Sequence, residues 1–243
     1  MAEAGRARLL HPWVEGARAV LFDVGGTLVH PDWQRLAQLA SEEMGGVFTD
    51  EELRRALKEA LRAVDAGLQH GGELPADARR RGWVFRRMYG ALGMDEALCD
   101  RLSARVDVAH GERHLWCGLD AEAPLVLDEL KRAGLRVAVI SNTEDGRLEE
   151  LLELVGLAAH FDFSIDSYVV GHRKPDATIF HLALTRLDLR PEEAVYIGDS
   201  YGHDALAARA VGMRAILLDP LDLHPESVCP RIRTLGELIG RNL

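Results

Sequence analysis

Four short apolar runs, each closed by polar residues, constrain this chain more than any other feature. They read AVLFDVG at 19–25, LRVAVISN at 135–142, AVYIGDS at 194–200 and, with a weaker ending, RAILLD at 214–219. Near-continuous Val, Ile and Leu without alternation is the pattern of strands covered on both faces, as in a parallel sheet. Helical patterns lie between the runs. Residues 121–133 put Leu127 and Leu130 on one face before Gly134, and 176–188 and 203–211 repeat the theme, the second closing at Gly212. Strands alternating with helices predict right-handed crossovers and a doubly wound, mostly parallel α/β sheet.

About a hundred residues separate the first run from the second, too many for one crossover. Thr49 and Glu52 form a capping box, and Leu53, Leu57, Leu61, Val64 and Leu68 follow at helical spacing. Stretches 33–44, 81–92 and 95–106 also read as helix. The pattern predicts a helical cap over 32–117, inserted into a core made of 1–31 and 118–243. Trp83, Phe85, Met88 and Tyr89 are expected mainly to pack this insertion, with a substrate pocket as their other use.

With 47% apolar residues the chain can bury a sizeable core. A formal charge of −10 argues against a nucleic-acid surface, because phosphate neutralisation needs clustered Lys and Arg. Cys99, Cys117 and Cys229 have no metal-ligand spacing, the N-terminal stretch lacks a secretory pattern, and no segment reaches membrane-spanning length. These features predict a soluble, reduced, cytoplasmic protein with no membrane partner. Oligomeric state is not legible.

In open α/β sheets, ligands bind beyond the carboxyl ends of the strands. Those ends carry Asp23, Ser141-Asn142 and Gly198-Asp199-Ser200, with Asp204 close behind and Lys174 in the segment GHRKPD. Carboxylates, a hydroxyl and one ammonium on a single rim suit Mg²⁺ and phosphate. The motifs DVGGT at 23–27, Ser141 after VAVI, Lys174 in RKPD and GDSYGHD at 198–204 occur in the order found in the haloacid dehalogenase superfamily. Over nearly its whole length the chain resembles members with a helical cap after the first strand. The resemblance implies a Rossmann-like core in which Asp23 attacks phosphorus to give a phospho-aspartate. Thr27, Ser141, Asn142 and the backbone at Gly26 would hold the phosphoryl oxygens, and Lys174 would balance charge. Asp23, the carbonyl of Gly25, Asp199 and Asp204 would hold Mg²⁺.

One position departs from that pattern. Family phosphatases carry a second aspartate two residues after the nucleophile, which protonates the leaving oxygen and then activates water; here that residue is Gly25. General acid–base catalysis contributes about 10² to 10⁴ in rate. The glycine therefore leaves four outcomes open: activated phosphate esters, a relocated acid, a different bond, or no turnover. His30 is the first candidate for a relocated acid, with His172 and His203 behind it. Relatives that cleave carbon–phosphorus bonds use a cap lysine, and Lys58 is the only lysine in the insertion, though its surroundings read as an ordinary amphipathic helix. Dehalogenating relatives dispense with the Mg²⁺ carboxylates, which this chain keeps.

His110 and His114, flanking Glu112, have i, i+4 spacing but no evident third ligand, and are expected on a solvated face. The leading expectation is a Mg²⁺-dependent hydrolase, a phosphatase of a small phosphorylated metabolite, weak toward ordinary phosphomonoesters. The alternative is a non-catalytic phosphate-, metabolite- or partner-binding protein on the same fold.

Overall fold

The computed structural model describes residues 10–69 and 82–240. In chain order its elements begin with β1 (Ala19–Phe22), β2 (Val29–His30), α1 (Trp33–Met44), α2 (Asp50–Gln69), α3 (Trp83–Ala91), α4 (Glu96–Glu112) and β3 (Gly118–Leu119). They continue with α5 (Ala123–Arg132), β4 (Arg136–Ser141), α6 (Leu148–Leu154), β5 (Phe163–Asp166), α7 (Ser167–Val170) and α8 (Ala177–Leu187). The last are β6 (Ala194–Gly198), a π-helical turn at Tyr201–Leu206, α9 (Ala207–Ala210), β7 (Arg214–Leu218) and β8 (Arg231–Ile232).

Six strands form one sheet in the order β5-β4-β1-β6-β7-β8, every pairing parallel. This is the doubly wound α/β architecture that the apolar runs predict. Alternate residues of each strand enter opposite cores. Val20, Phe22, Val139 and Ile197 pack with Leu127 of α5 and Leu151 of α6. Leu21, Ile140 and Tyr196 pack with Ile179 and Phe180 of α8. Both faces are covered, so the strand interiors are almost wholly apolar and the ionisable groups gather where the strands end.

Register decides what meets at those ends. Phe22 pairs with Val139 on one side and Ile197 on the other, which brings the residues after β1, β4 and β6 to one rim. The amide of Asp23 donates to the Ile197 carbonyl at 2.8 Å, extending β1 by one bond beyond its last ladder residue.

The helices α1 to α4 have an apolar core of their own, with Trp33, Leu36, Leu53, Leu57, Leu102 and Val106 among its residues. Met88 and Tyr89 are wholly buried in it, Tyr89 donating through its hydroxyl to the Leu36 carbonyl at 3.1 Å. The capping box at Thr49 forms: Glu52 Oε2 accepts from the Thr49 amide at 2.9 Å, and Thr49 Oγ1 from the Glu52 amide at 3.2 Å. A two-stranded antiparallel ribbon, β2 with β3, joins this helical layer to the sheet. The helix expected at 95–106 runs on to Glu112 as α4. The one expected at 203–211 opens instead as a π-turn. Among the described residues no helix is long and apolar enough to cross a membrane.

Candidate active site

Asp23 is the first residue past β1 and is buried. Its Oδ1 accepts from Lys174 Nζ at 2.6 Å, and its Oδ2 from the Thr27 hydroxyl at 3.3 Å. Lys174 is 2% exposed and also donates to Asp204 Oδ1 at 2.7 Å and to the Tyr196 hydroxyl at 2.9 Å. Tyr196 in turn donates to the Ile140 carbonyl. The ammonium thus has three oxygen partners. Burial alone would push Lys174 down, but the carboxylates of Asp204 and Asp23 hold it well above its usual range.

Asp23, Asp199 and Asp204 place ligand oxygens within 4.8 Å of one another. Asp23 is raised to about 7, first by burial and then by its carboxylate neighbours, with Lys174 pulling the other way. Lys174, with Lys58 paired to Asp199, therefore offsets only part of the charge of three carboxylates. An all-oxygen donor set with excess charge suits a hard divalent cation. Gly26 lies beneath this cluster at φ +88°, and a Cβ there would run into the Asp199 carboxylate. Only glycine fits both that backbone and that contact.

Two residues expected to hold phosphate are committed elsewhere. The Gly26 amide donates to the Val29 carbonyl at 2.7 Å, so the tight turn consumes it. Asn142 donates through Nδ2 to the Lys174 carbonyl at 2.9 Å and accepts from the Lys174 amide at 2.9 Å. It clamps the lysine loop, and both ends of its amide are used. Ser141, buried at the end of β4, lines the same cavity as Asp23 and Lys174.

That cavity encloses about 160 Å³ between the strand ends and the helical layer. Trp83, Phe85 and Trp116 form much of its apolar wall; His110, His114 and Glu144 are among its polar residues. Trp83 and Phe85 therefore do serve the pocket, whereas Met88 and Tyr89 do not line it.

At Gly25 a Cβ would lie 3.2 Å from Cζ3 of Trp116. A side chain at 25 would press on an indole from the chain segment just before β3, which would have to give by a few tenths of an ångström. His30, the first candidate for a relocated acid, lies away from the cavity, its Nε2 3.4 Å from Asp120 Oδ2. His172 is exposed beside Asp176. His203 lines the cavity, but its Nδ1 is held 2.9 Å from Ser200 Oγ and 3.4 Å from Asp65 Oδ1.

His110 and His114 are not on a solvated face. Both line the cavity, with ring centroids 4.4 Å apart. The Leu115 and Trp116 amides donate to their Nδ1 atoms at 3.2 Å each, and His110 Nε2 lies 3.0 Å from Asp145 Oδ2. The chain turns back after α4, and its amides fix both rings. Burial, with His110 beside it, pushes His114 down to about 4.

Lys58 does not sit on a solvated helix face either: it reaches from α2 to pair with Asp199. One turn of helix plus three residues further on is a residue that the sequence reading passed over. Asp65 is buried and accepts from Ser200 Oγ at 2.6 Å and the Tyr201 amide at 2.8 Å, capping the π-turn that carries Asp204. Its signal was a carboxylate on the same apolar stripe as Leu61 and Leu68. Glu144, three residues after Ser141, was also passed over; its Oε1 accepts from Trp83 Nε1 at 3.0 Å.

The family model for haloacid dehalogenase-like hydrolases matches residues 17–212. A human protein, haloacid dehalogenase-like hydrolase domain-containing protein 3, is 42% identical over 222 residues, which are 89% of this chain and 86% of that one. The bovine protein of that name is 47% identical over 119 residues, about half of each chain (48% and 47%). Phosphoserine phosphatase of Thermus thermophilus is 29% identical over 219 residues, 89% of this chain and 70% of that one. Among solved structures, the HAD-hydrolase YfnB of Bacillus subtilis superposes with a TM-score of 0.65 at 22% identity, covering 92% of this chain and 97% of that one. The chain belongs to the haloacid dehalogenase-like hydrolases.

Proposed function

We propose that this hydrolase is a Mg²⁺-dependent phosphatase of a small phosphorylated metabolite and works through a phospho-aspartate on Asp23. The observation that carries the reading is the buried Lys174 bridging Asp23 and Asp204 beside Asp199, on the rim of a cavity. A site that only bound phosphate would gain nothing from burying three carboxylates there, because they repel the ligand. Phosphatases among the relatives support the same reaction class.

Oδ1 of Asp23 is taken by Lys174, and Oδ2 has only the long bond from Thr27. Oδ2 is therefore the attacking oxygen. Lys174 pulls Asp23 toward its ionised form and holds Oδ1, and Ser141 would donate to a phosphoryl oxygen. Asp23, the Gly25 carbonyl, Asp199 and Asp204 would hold Mg²⁺, which when bound neutralises charge on the phosphoryl group. Lys58, engaged by Asp199, is not free to form an imine, which counts against carbon–phosphorus cleavage. The helices of 32–117 act as a cap that closes the site, and the setting is cytoplasmic.

The test is hydrolysis of acetyl phosphate and p-nitrophenyl phosphate with Mg²⁺, wild type against Asp23→Asn. Turnover lost in the variant supports the reading; equal rates overturn it. One observation favours a second reading, binding without turnover: Trp116 crowds the position where the missing acid would stand. Phosphate or metabolite binding with no Asp23-dependent turnover would select it.

A further inference from the structure

With a glycine at position 25, the proton of the reaction has to be handled from another wall. We propose that Glu144 is the acid and base of this site: it protonates the leaving oxygen and then activates the water that releases the phospho-aspartate. This inference rests on the phosphatase reading given above.

Glu144 follows Ser141 in the loop leaving β4, and it lines the cavity that also holds Asp23, Gly25 and Lys174. The loop is pinned to the catalytic lysine two residues earlier, where Asn142 bonds both ways with the Lys174 backbone. Among the described residues, the Glu144 carboxyl is anchored at one oxygen only. Trp83 Nε1 donates to Oε1 at 3.0 Å, and an Arg173 guanidinium nitrogen lies 3.8 Å from the same atom. No described residue donates a hydrogen bond to Oε2. One oxygen holds the group in place and the other is left for a proton. Arg173 adjoins Lys174, so the same loop touches this carboxyl through one residue and the nucleophile through the next.

Its protonation fits both halves of the reaction. Burial lifts Glu144 to about 7, against the pull of Arg173 and Trp83, with Asp145 adding to the rise and His110 opposing it. Asp107 and Asp145 also line the cavity, beside the Asp23, Asp199 and Asp204 cluster. A carboxyl poised near neutrality can give a proton and take one back. His114, lowered to about 4, is a neutral imidazole in that range and a poor proton donor.

The steps balance. Asp23 Oδ2 attacks phosphorus, the bond to the leaving oxygen breaks, and that oxygen takes the Glu144 proton and departs as an alcohol. The Glu144 carboxylate then takes a proton from water, whose oxygen attacks phosphorus. The bond to Asp23 breaks, inorganic phosphate leaves, and Glu144 is protonated again. Acyl phosphates need no proton in the first step, because their leaving carboxylate is stable, but all substrates need the base in the second.

The experiment compares wild type, Glu144→Gln, Glu144→Asp and Asp23→Asn with Mg²⁺, on acetyl phosphate and on a set of alkyl phosphates. Glu144→Gln should lose about 10²- to 10⁴-fold in alkyl phosphate turnover. With acetyl phosphate it should still form phosphoenzyme in a burst, then stall. Wild-type kcat/KM for alkyl phosphates should fall above about pH 7, as Glu144 loses its proton, and that limb should vanish in Glu144→Gln. Glu144→Asp should recover part of the rate, and thermal melts should show all four proteins folded. Alkyl phosphate turnover and its alkaline limb surviving in Glu144→Gln would overturn the assignment. So would a wild type that turns over acetyl phosphate but no alkyl phosphate; Asp23 chemistry would survive either result. Phosphoenzyme that forms equally in Asp23→Asn, or from none of these compounds, would instead overturn the phospho-aspartate reading, and the role of Glu144 with it.

Discussion

A methyl group on Gly25 would lie 3.2 Å from one indole carbon of Trp116 and 3.3 Å from the next, closer than apolar groups normally pack. The two positions therefore share one volume, and restoring an aspartate at 25 is not a free change. Gly25→Asp alone should cost about 1–3 kcal/mol as overpacking and give little gain on alkyl phosphates. Combined with Trp116→Ala, the loss of unfolding free energy should be smaller than the sum of the two single losses. Additive costs in a chemical-unfolding cycle would show that the indole and Gly25 do not compete. The same residue scale sets what was legible in the sequence. Asp23, Lys174, Asp199 and Asp204 could be found because each stands at a strand end or beside a helix start. The reach of Lys58 to Asp199 could not, because an amphipathic helix reads the same whether its lysine meets water or a carboxylate.

The strands β1, β4, β6 and β7 were legible as apolar runs because both of their faces are buried. The strand β5, with the sequence FSID, is broken by a serine, and β8 has only two residues. Such short edge strands are defined by a neighbour's hydrogen bonds, not by composition. The continuation of α4 through Gly111 had the same cause: packing overrode a poor helix former. That extra turn is what aims His110 and His114 at the cavity. The π-turn after β6 depends on an acceptor from another element, the Asp65 carboxylate. Asp65→Ala strips the Ser200 hydroxyl and the Tyr201 amide of that partner and should cost about 1–3 kcal/mol. Amide exchange at Tyr201 should quicken at the same time. Unchanged protection there would mean that the turn holds without Asp65.

Across the whole molecule, the helical layer meets the sheet's rim through polar contacts: Lys58 with Asp199, Asp65 with Ser200, Trp83 with Glu144 and His110 with Asp145. The last of these gives a pH signature. Burial would raise Asp145, but the hydrogen bonds from His110 and the Arg147 amide prevail, and it sits at about 2 against an ordinary 3.8. A carboxyl lowered by folding stabilises wherever the unfolded chain is already ionised. Its contribution is complete above about pH 4 and is lost as pH falls through about 2. Asp145→Asn should therefore melt below wild type at about pH 6, with the gap closing toward about pH 2. A gap of constant size across that window would assign the effect to packing instead. The parallel sheet could be read from the strands alone, whereas these contacts join residues far apart in the chain and follow from how the two layers meet.

The most direct measurement is where phosphorus goes. Acetyl phosphate labelled in its phosphoryl group is mixed with the protein and Mg²⁺, the reaction is quenched in acid, and the labelled peptide is located by mass spectrometry. The label should be found on Asp23 as an acyl phosphate, lost on treatment with hydroxylamine, and absent from Asp23→Asn. Label on another residue, or the same amount in Asp23→Asn, would contradict the account.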